Sequence, residues 1–468
     1  MKRAIWATVV FWPALVVLAF AQMLSAGTTM GRVSHTIVVK SGDTAPPGGN
    51  YLIFSFLNAT LNGRHAVAFD AVSGPPFTTG IFVGNGKRTS TIALGTNPDP
   101  DGQSFGTVMN PFTTNDGDVV FDGDSQILKS NGKKIIPLVQ LGDTVPGRGM
   151  VGSVTGRVTN DQGAVAYLAS MSGATATQAV LRSNGVRTIA IASDDIAPPT
   201  GGSFTSLESP DMNDHGQVAF KSDMTGGSAE HGIFRGEGGR LTPVFVTNQV
   251  VPGGASVDEC GGAAINTYGQ VAAICSLKNG ATNAGLFIGD GKATFAIALD
   301  GQPAPKGGNY SILESLKLND RGEVAFLARL TDSTSGLFRG NGKHTTTIAL
   351  SGTSAPGTTG VFQSFGDVFE LGNDGRVALV AQLESGVGGV DSSNDLGIWV
   401  GTSEEDLQLV VRTGDVIDGN VVTSLPFLDI GGHPLDMNEN EVLWRGNFGA
   451  VKALVVSRIS CDREGEGD

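Results

Sequence analysis

The chain has 468 residues, more than one ordinary hydrophobic core accommodates, so it is either several domains or an array of repeats. Gly supplies 68 of them without a Gly-X-Y period, which excludes collagen, and 40% apolar content excludes a disordered chain. The formal charge is −14 with no Lys/Arg stripe interleaved with aromatics, so nucleic acid and anionic membrane surfaces are poor partners, and the acidity reads as solubility outside the cell.

The first residues read as a signal peptide. Lys2 and Arg3 give a basic start, and Ala4 to Ala21 is an uncharged apolar run broken by Pro13. Ala19-Phe20-Ala21 offers the small residues at −3 and −1 that a signal peptidase needs, with Leu24-Ser25-Ala26 as a second choice. The run is also long enough for an uncleaved anchor. Export is the expectation, with cleavage between Ala21 and Ala26 and a soluble mature protein, secreted or periplasmic, that leaves the membrane. Residues 1–26 are then the signal, 27–460 one folded ring, and 461–468 a polar acidic tail.

After that segment the chain repeats itself. Asn213-Asp-His-Gly-Gln-Val-Ala-Phe220 recurs as Asn319-Asp-Arg-Gly-Glu-Val-Ala-Phe326, and relatives start at Asn62, Asn115, Asn160, Asn266, Asn373 and Asn438. The eight anchors are separated by 53, 45, 53, 53, 53, 54 and 65 residues. Each period holds four strand-like runs. In the sixth these are Tyr310 to Leu318, Gly322 to Leu330, Gly336 to Gly340 and Thr345 to Leu350. The first two are joined by Asn-Asp-x-Gly, whose side chains accept local backbone hydrogen bonds. The last two are joined by Gly-Asn-Gly-Lys, a strong hairpin signal, as at Gly84 to Lys87 and Gly340 to Lys343.

The second run, Val324-Ala-Phe-Leu-Ala328, is apolar on both faces, as a strand covered by sheets on both sides must be. Small residues at Ala68, Ala166, Ala219, Ala272, Ala325 and Ala378 allow close approach between sheets. Four-stranded units repeated about an axis are the β-propeller plan. The eighth unit has a first strand near Val421 to Leu425, a second near Glu441 to Arg445 and a third near Ala450 to Ile459, and then lacks a fourth. His35 to Asp43 matches the fourth-strand run Thr346 to Thr353, so the start of the chain supplies the missing strand. The expected fold is therefore all-β: an eight-bladed β-propeller of four-stranded antiparallel blades, closed by an N-terminal strand completing the C-terminal blade. An open solenoid, which wants a cap at each end, is the structural alternative.

Cys260 and Cys275 flank the fifth hairpin symmetrically about its midpoint at Thr267 and Tyr268, so they are expected to face each other and form a disulfide in an oxidising compartment. Two free core thiols are the alternative, and Cys461 is left over, free or an intermolecular partner.

Candidate chemistry is sparse. His35, His65, His215, His231, His344 and His433 fall on different units without metal-ligand spacing, so no zinc site is expected. Asn97, Asp99 and Asp101 have the spacing of half a calcium loop, but Val108 stands where a bidentate Glu belongs, and the stretch aligns with the loop between units. Asp116, Asp118, Asp122 and Asp124 are denser, yet alternation splits them between faces. No nucleophile elbow, phosphate loop or dinucleotide fingerprint is present. No catalytic residue, cofactor or metal is therefore assigned.

At its Asn-x-x-Gly-x-x-Ala-Phe strings the chain resembles the bacterial exported proteins with tandem repeats of that pattern, across nearly all of the mature part. The resemblance implies export and a repeat fold and carries no activity or functional residues. Members commonly end in a sorting or anchoring segment, whereas this tail is polar and acidic, which favours release or periplasmic residence. The loops between second and third strands vary most: Asp70 to Gly80, Lys221 to Gly232, Cys275 to Gly285 and Gln382 to Gly397. A regular frame with one irregular loop set reads as a non-catalytic binding or scaffold protein, a monomer taking a protein or carbohydrate ligand on that face. A hydrolase or lyase acting on an extracellular polymer, betrayed by an acid/base pair at the axis, and a structural envelope or matrix component are the alternatives.

Overall fold

The computed structural model describes residues 31–460 apart from 47, 53–57, 99–101, 125 and 428–433. Residues 1–30, on which the expected signal peptide falls, lie outside the described residues, as do Asp99, Asp101, His433, Cys461 and the tail. The described residues form eight antiparallel blades of four strands each, counting the split first strands of blades 1 and 5 as one apiece, with a fifth, two-residue strand, Thr144–Val145, at the inner edge of blade 3. The fold is an eight-bladed β-propeller.

Blade 6 shows the plan. Tyr310–Leu318, Val324–Leu330, Ser335–Gly340 and Thr345–Leu350 pair in order, from the axis outwards. The second strand is buried on both faces, with Val324, Ala325 and Phe326 wholly inaccessible. Phe326 stacks on Phe338 of the third strand at 5.6 Å, and Tyr310 meets Phe338 edge-on at 5.3 Å. Blade 4 repeats the trio as Phe220, Phe234 and Phe204, and blade 1 as Phe69, Phe82 and Tyr51. These geometries suit the aromatic quadrupole and fill the space each small Ala leaves against the next sheet.

The ring is closed. Arg32–Lys40 runs antiparallel to Val451–Ser460, from Arg32 opposite Ser460 to Lys40 opposite Ala453, as the fourth strand of blade 8. Eight hydrophobic clusters occupy the eight spaces between neighbouring blades, and the one joining the two ends packs Val38, Val39, Leu443 and Leu454 against Tyr51, Phe69 and Phe82. An open solenoid would leave that eighth space unfilled.

Three details depart from the sequence reading. In blade 8 the regular first strand is Leu435–Met437. Val421 belongs instead to a two-stranded ribbon, Val416–Ile417 with Asn420–Val421, and Ser424 reaches the sheet only by a bridge to Asn447. The long last spacing is thus an insertion ahead of the strand. In blades 2 and 7 the anchor position is held by Thr114 and Gly372, not by Asn115 and Asn373. The turn bonds settle it: Gly117 N–H donates to Thr114 O and Gly375 N–H to Gly372 O, as Gly216 N–H does to Asn213 O. Asn115 and Asn373 are second turn residues there.

The anchors themselves sew blade to blade. Asn213 Oδ1 accepts Gln217 N–H within its own turn, and its amide donates to Asn266 O in the next blade at 2.8 Å. Asn62, Asn160, Asn266, Asn319 and Asn438 donate likewise to Thr114, Asn213, Asn319, Gly372 and Asn62. Six of the eight junctions are bridged in this way. The two lacking an anchor Asn use Asn115 to Asp161 (2.6 Å) and Arg376 to Asn440 (3.2 Å). Third-strand Arg182, Arg235 and Arg339 add a second fastening, each donating to the turn glycine carbonyl of the next blade. In blade 1 His65 takes that glycine's place at φ 64°, and its ring lies 2.7 Å from Glu441 of blade 8.

Candidate functional site

Because first strands lie innermost, the residue two before each anchor faces the axis: Thr60, Phe112, Val158, Asp211, Ala264, Lys317, Glu370 and Asp436. The polar members at five of these positions also tie blades together. Asp436 accepts Leu61 N–H at 2.7 Å and Met437 N–H at 2.8 Å, and Asp211 accepts Ile265 N–H and Met212 N–H, both at 2.9 Å. Thr60 accepts Thr113 N–H at 2.9 Å. Lys317 Nζ donates to Glu370 at 2.7 Å.

Burial foremost, with the nearby Glu370 charge, pushes the Asp436 carboxyl up to about 7. Burial raises Asp211 as well. Burial pulls the Lys317 ammonium down, but Glu370, Asp436 and Asp211 more than offset this and it is raised.

The channel widens on either side of this ring. On the side of the tight turns a cavity of about 700 Å³ is lined by Asn115, Asp161, Asp214, Asp320 and Asn373, among others. Asp161 is raised to about 6, first by burial and then by Asp214. On the side of the variable loops a cavity of about 900 Å³ lies against blades 2 and 3. Both cavities include Thr60, Phe112 and Thr159, so they are two ends of one channel.

Blade 2 creates the larger opening. Its second strand, Val119–Gly123, has five residues where the second strands of the other blades have seven or eight, and this short strand leaves a notch. The floor of the notch is a polar chain. Asn58 donates to Asn110 at 2.7 Å, Asn110 to Asp122 at 2.8 Å, and Asp122 sits 3.0 Å from Arg157 Nε. Arg157 also donates to Asn110 O at 2.6 Å and to Thr159 at 3.0 Å, so its guanidinium is fully engaged in shaping the floor. The rim is apolar: Met109 and Leu141 are 41% and 45% exposed.

The four clustered aspartates divide as alternation requires. Asp122 reaches the notch, Asp124 accepts Thr107 N–H beside it, and Asp116 and Asp118 lie in the turn at the other mouth. Cys260 and Cys275 stand directly opposite each other in blade 5 and are joined by a disulfide with S–S 2.00 Å. Among the histidines, His35 meets Ser457, His215 meets Thr267 O, and His231 meets Asp223. Trp399 and Trp444 are wholly buried, their indole N–H groups donating to Pro356 O and Ser457 Oγ. The axial ring and the notch were not visible in the sequence, because each is assembled from residues on three or more blades.

Residues 123–441 match a family of unknown function, DUF7453. The chain belongs to that family. The DUF7453 match begins at the end of the second strand of blade 2 and reaches the second strand of blade 8, so it contains Arg157, Asp211, Lys317, Glu370 and Asp436. No curated protein matches the chain. Among solved structures it is similar to the β-propeller domain of the Trilobed protease from Pyrococcus furiosus, at 11% identity over 77% of this chain and 99% of that one, with a TM-score of 0.40. A prolyl endopeptidase gives 13% identity over 77% and 50%, with a TM-score of 0.41, so the chain spans about half of that enzyme's length. YCF48 from Cyanidioschyzon merolae gives 12% identity over 92% and 100%, with a TM-score of 0.33. Likenesses this distant say nothing about chemistry.

Proposed function

We propose that the protein is an exported, non-catalytic binding propeller of the Asn-x-x-Gly-x-x-Ala-Phe kind, which receives a segment of a protein ligand in the notch of blade 2. The observation that carries this is the notch itself. A cavity of about 900 Å³ with a hydrogen-bonding floor and an apolar rim is the usual form of a binding pocket. A protein ligand is favoured over a carbohydrate because Trp399 and Trp444, the two Trp among the described residues, are buried, which leaves no indole face there for a sugar ring. Export fits the Cys260–Cys275 disulfide, which persists in oxidising compartments.

A hydrolase or lyase is the second reading, and the specific observation for it is the convergence of Asp211, Glu370 and Asp436 at the axis. Against it, both oxygens of Asp211 and of Asp436 are held by backbone N–H groups of two blades, and Glu370 holds Lys317. An acid/base pair needs an oxygen free to exchange a proton with substrate.

Panning a random peptide library against the mature chain tests the reading. Selected peptides should lose binding to Leu141→Asp and keep it with Val186→Asp, which alters an exposed turn on the opposite face. Equal loss in both variants, or loss only in the second, would place the ligand elsewhere.

A further inference from the structure

Away from the channel floor, three side chains that the sequence scatters come together between blades 4 and 5. Asp223 and His231 are cross-strand partners on the second and third strands of blade 4, with His231 Nδ1 2.8 Å from Asp223 Oδ1. Glu259 arrives from the first strand of blade 5, where a bulge between Val257 and Glu259 shifts the register and re-aims the side chain. One donor atom from each lies within 4.8 Å of the other two, and among the described residues this is the only such group of three.

We propose that Asp223, His231 and Glu259 form a binding site for a divalent first-row transition ion. One imidazole and two carboxylates are the nitrogen and oxygen donors that zinc accepts, and three protein ligands leave a coordination position for water. Asp223 and His231 are 38% and 32% exposed and Glu259 is 46% exposed, so an ion can enter without unfolding the blade.

The cluster already attracts a cation. Lys221 Nζ lies 2.7 Å from Glu259 and 3.8 Å from Glu208. Glu208, Asp223 and Glu259 carry three negative charges against the single positive charge of Lys221, which leaves two uncompensated while His231 is neutral. A divalent ion supplies that difference. It must displace Lys221 from Glu259, so Lys221 is a competitor rather than a ligand. Because the ligands belong to two blades, the ion would also clamp blade 4 to blade 5.

Titrating the mature chain with zinc chloride in a calorimeter tests the proposal, with urea unfolding in metal-free buffer confirming that each variant is folded. The expected result is one ion per chain, bound about tenfold more weakly by His231→Gln or Glu259→Gln. Lys221→Met should bind about two- to fivefold more tightly, as removal of a partly exposed ion pair allows. The milder Asp223→Asn serves if His231→Gln does not fold. Absence of saturable binding by the unaltered chain overturns the proposal, as does binding that the ligand substitutions leave unchanged.

Discussion

The side-chain amide of Asn160 donates to the main-chain carbonyl of Asn213, 3.1 Å away and 53 residues further along the chain. The same bond joins Asn213 to Asn266 and Asn266 to Asn319, so one side chain both shapes its own turn and fastens the next blade. Substituting Asn213 by Ala removes both functions: Gln217 N–H loses its acceptor, and Asn266 O keeps only its turn bond from Gly269 N–H. A stranded turn N–H and a lost inter-blade hydrogen bond together cost about 2–4 kcal/mol. Urea unfolding reads this, and a change below about 0.5 kcal/mol would mean the Asn ring is ornamental.

Reduction probes the other fastening. The Cys260–Cys275 disulfide closes a loop with a sequence separation of 15, which corresponds to about 3 kcal/mol of stabilisation. The protein should unfold at lower urea after treatment with a phosphine reductant. A Cys260→Ala/Cys275→Ala variant should unfold at the same urea with and without it. Identical midpoints for the unaltered protein in both conditions would count against the bond as a stabilising element.

Asp436 makes stability depend on pH. Its carboxyl is raised to about 7 in the folded protein, above the ordinary value of about 4 for an unfolded chain. The folded state therefore holds the proton longer, and this group's contribution is full below about pH 4 and is lost as pH rises to about 7. Asp436→Asn cannot ionise, so the fall between pH 4 and 7 should be shallower in the variant, although one backbone N–H then loses its acceptor. Parallel pH profiles of unfolding free energy in the two proteins would show that Asp436 does not titrate there.

The frame of the molecule was legible in its sequence because each element has a local cause. Asn-Asp-x-Gly and Gly-Asn-Gly-Lys fix turns within four residues, and Val324 to Ala328 advertises two covered faces by its composition alone. Closure was legible because His35 to Lys40 copies a fourth strand that the last unit lacks. What was not legible depends on neighbours far along the chain. Thr114 and Gly372 stand in for Asn at the anchor, and only their turn hydrogen bonds reveal it. Lys317, Asp211 and Asp436 meet at the axis because rotation about it superimposes equivalent positions, which no spacing rule for a strand contains. His231 carries no metal-ligand spacing, since its partners come from the opposite strand and from the next blade.

Ring closure by Arg32–Lys40 underlies every part of this account, including the channel. Amide hydrogen exchange on the chain from residue 27 onwards and on a variant of it lacking residues 32–40 tests it most directly. The amides of Val451–Ser460 that face the deleted strand should lose protection first, while the second strands of blades 3 to 6 keep theirs. Retained protection in Val451–Ser460, or earlier opening of the middle blades, would contradict closure by the N-terminal strand.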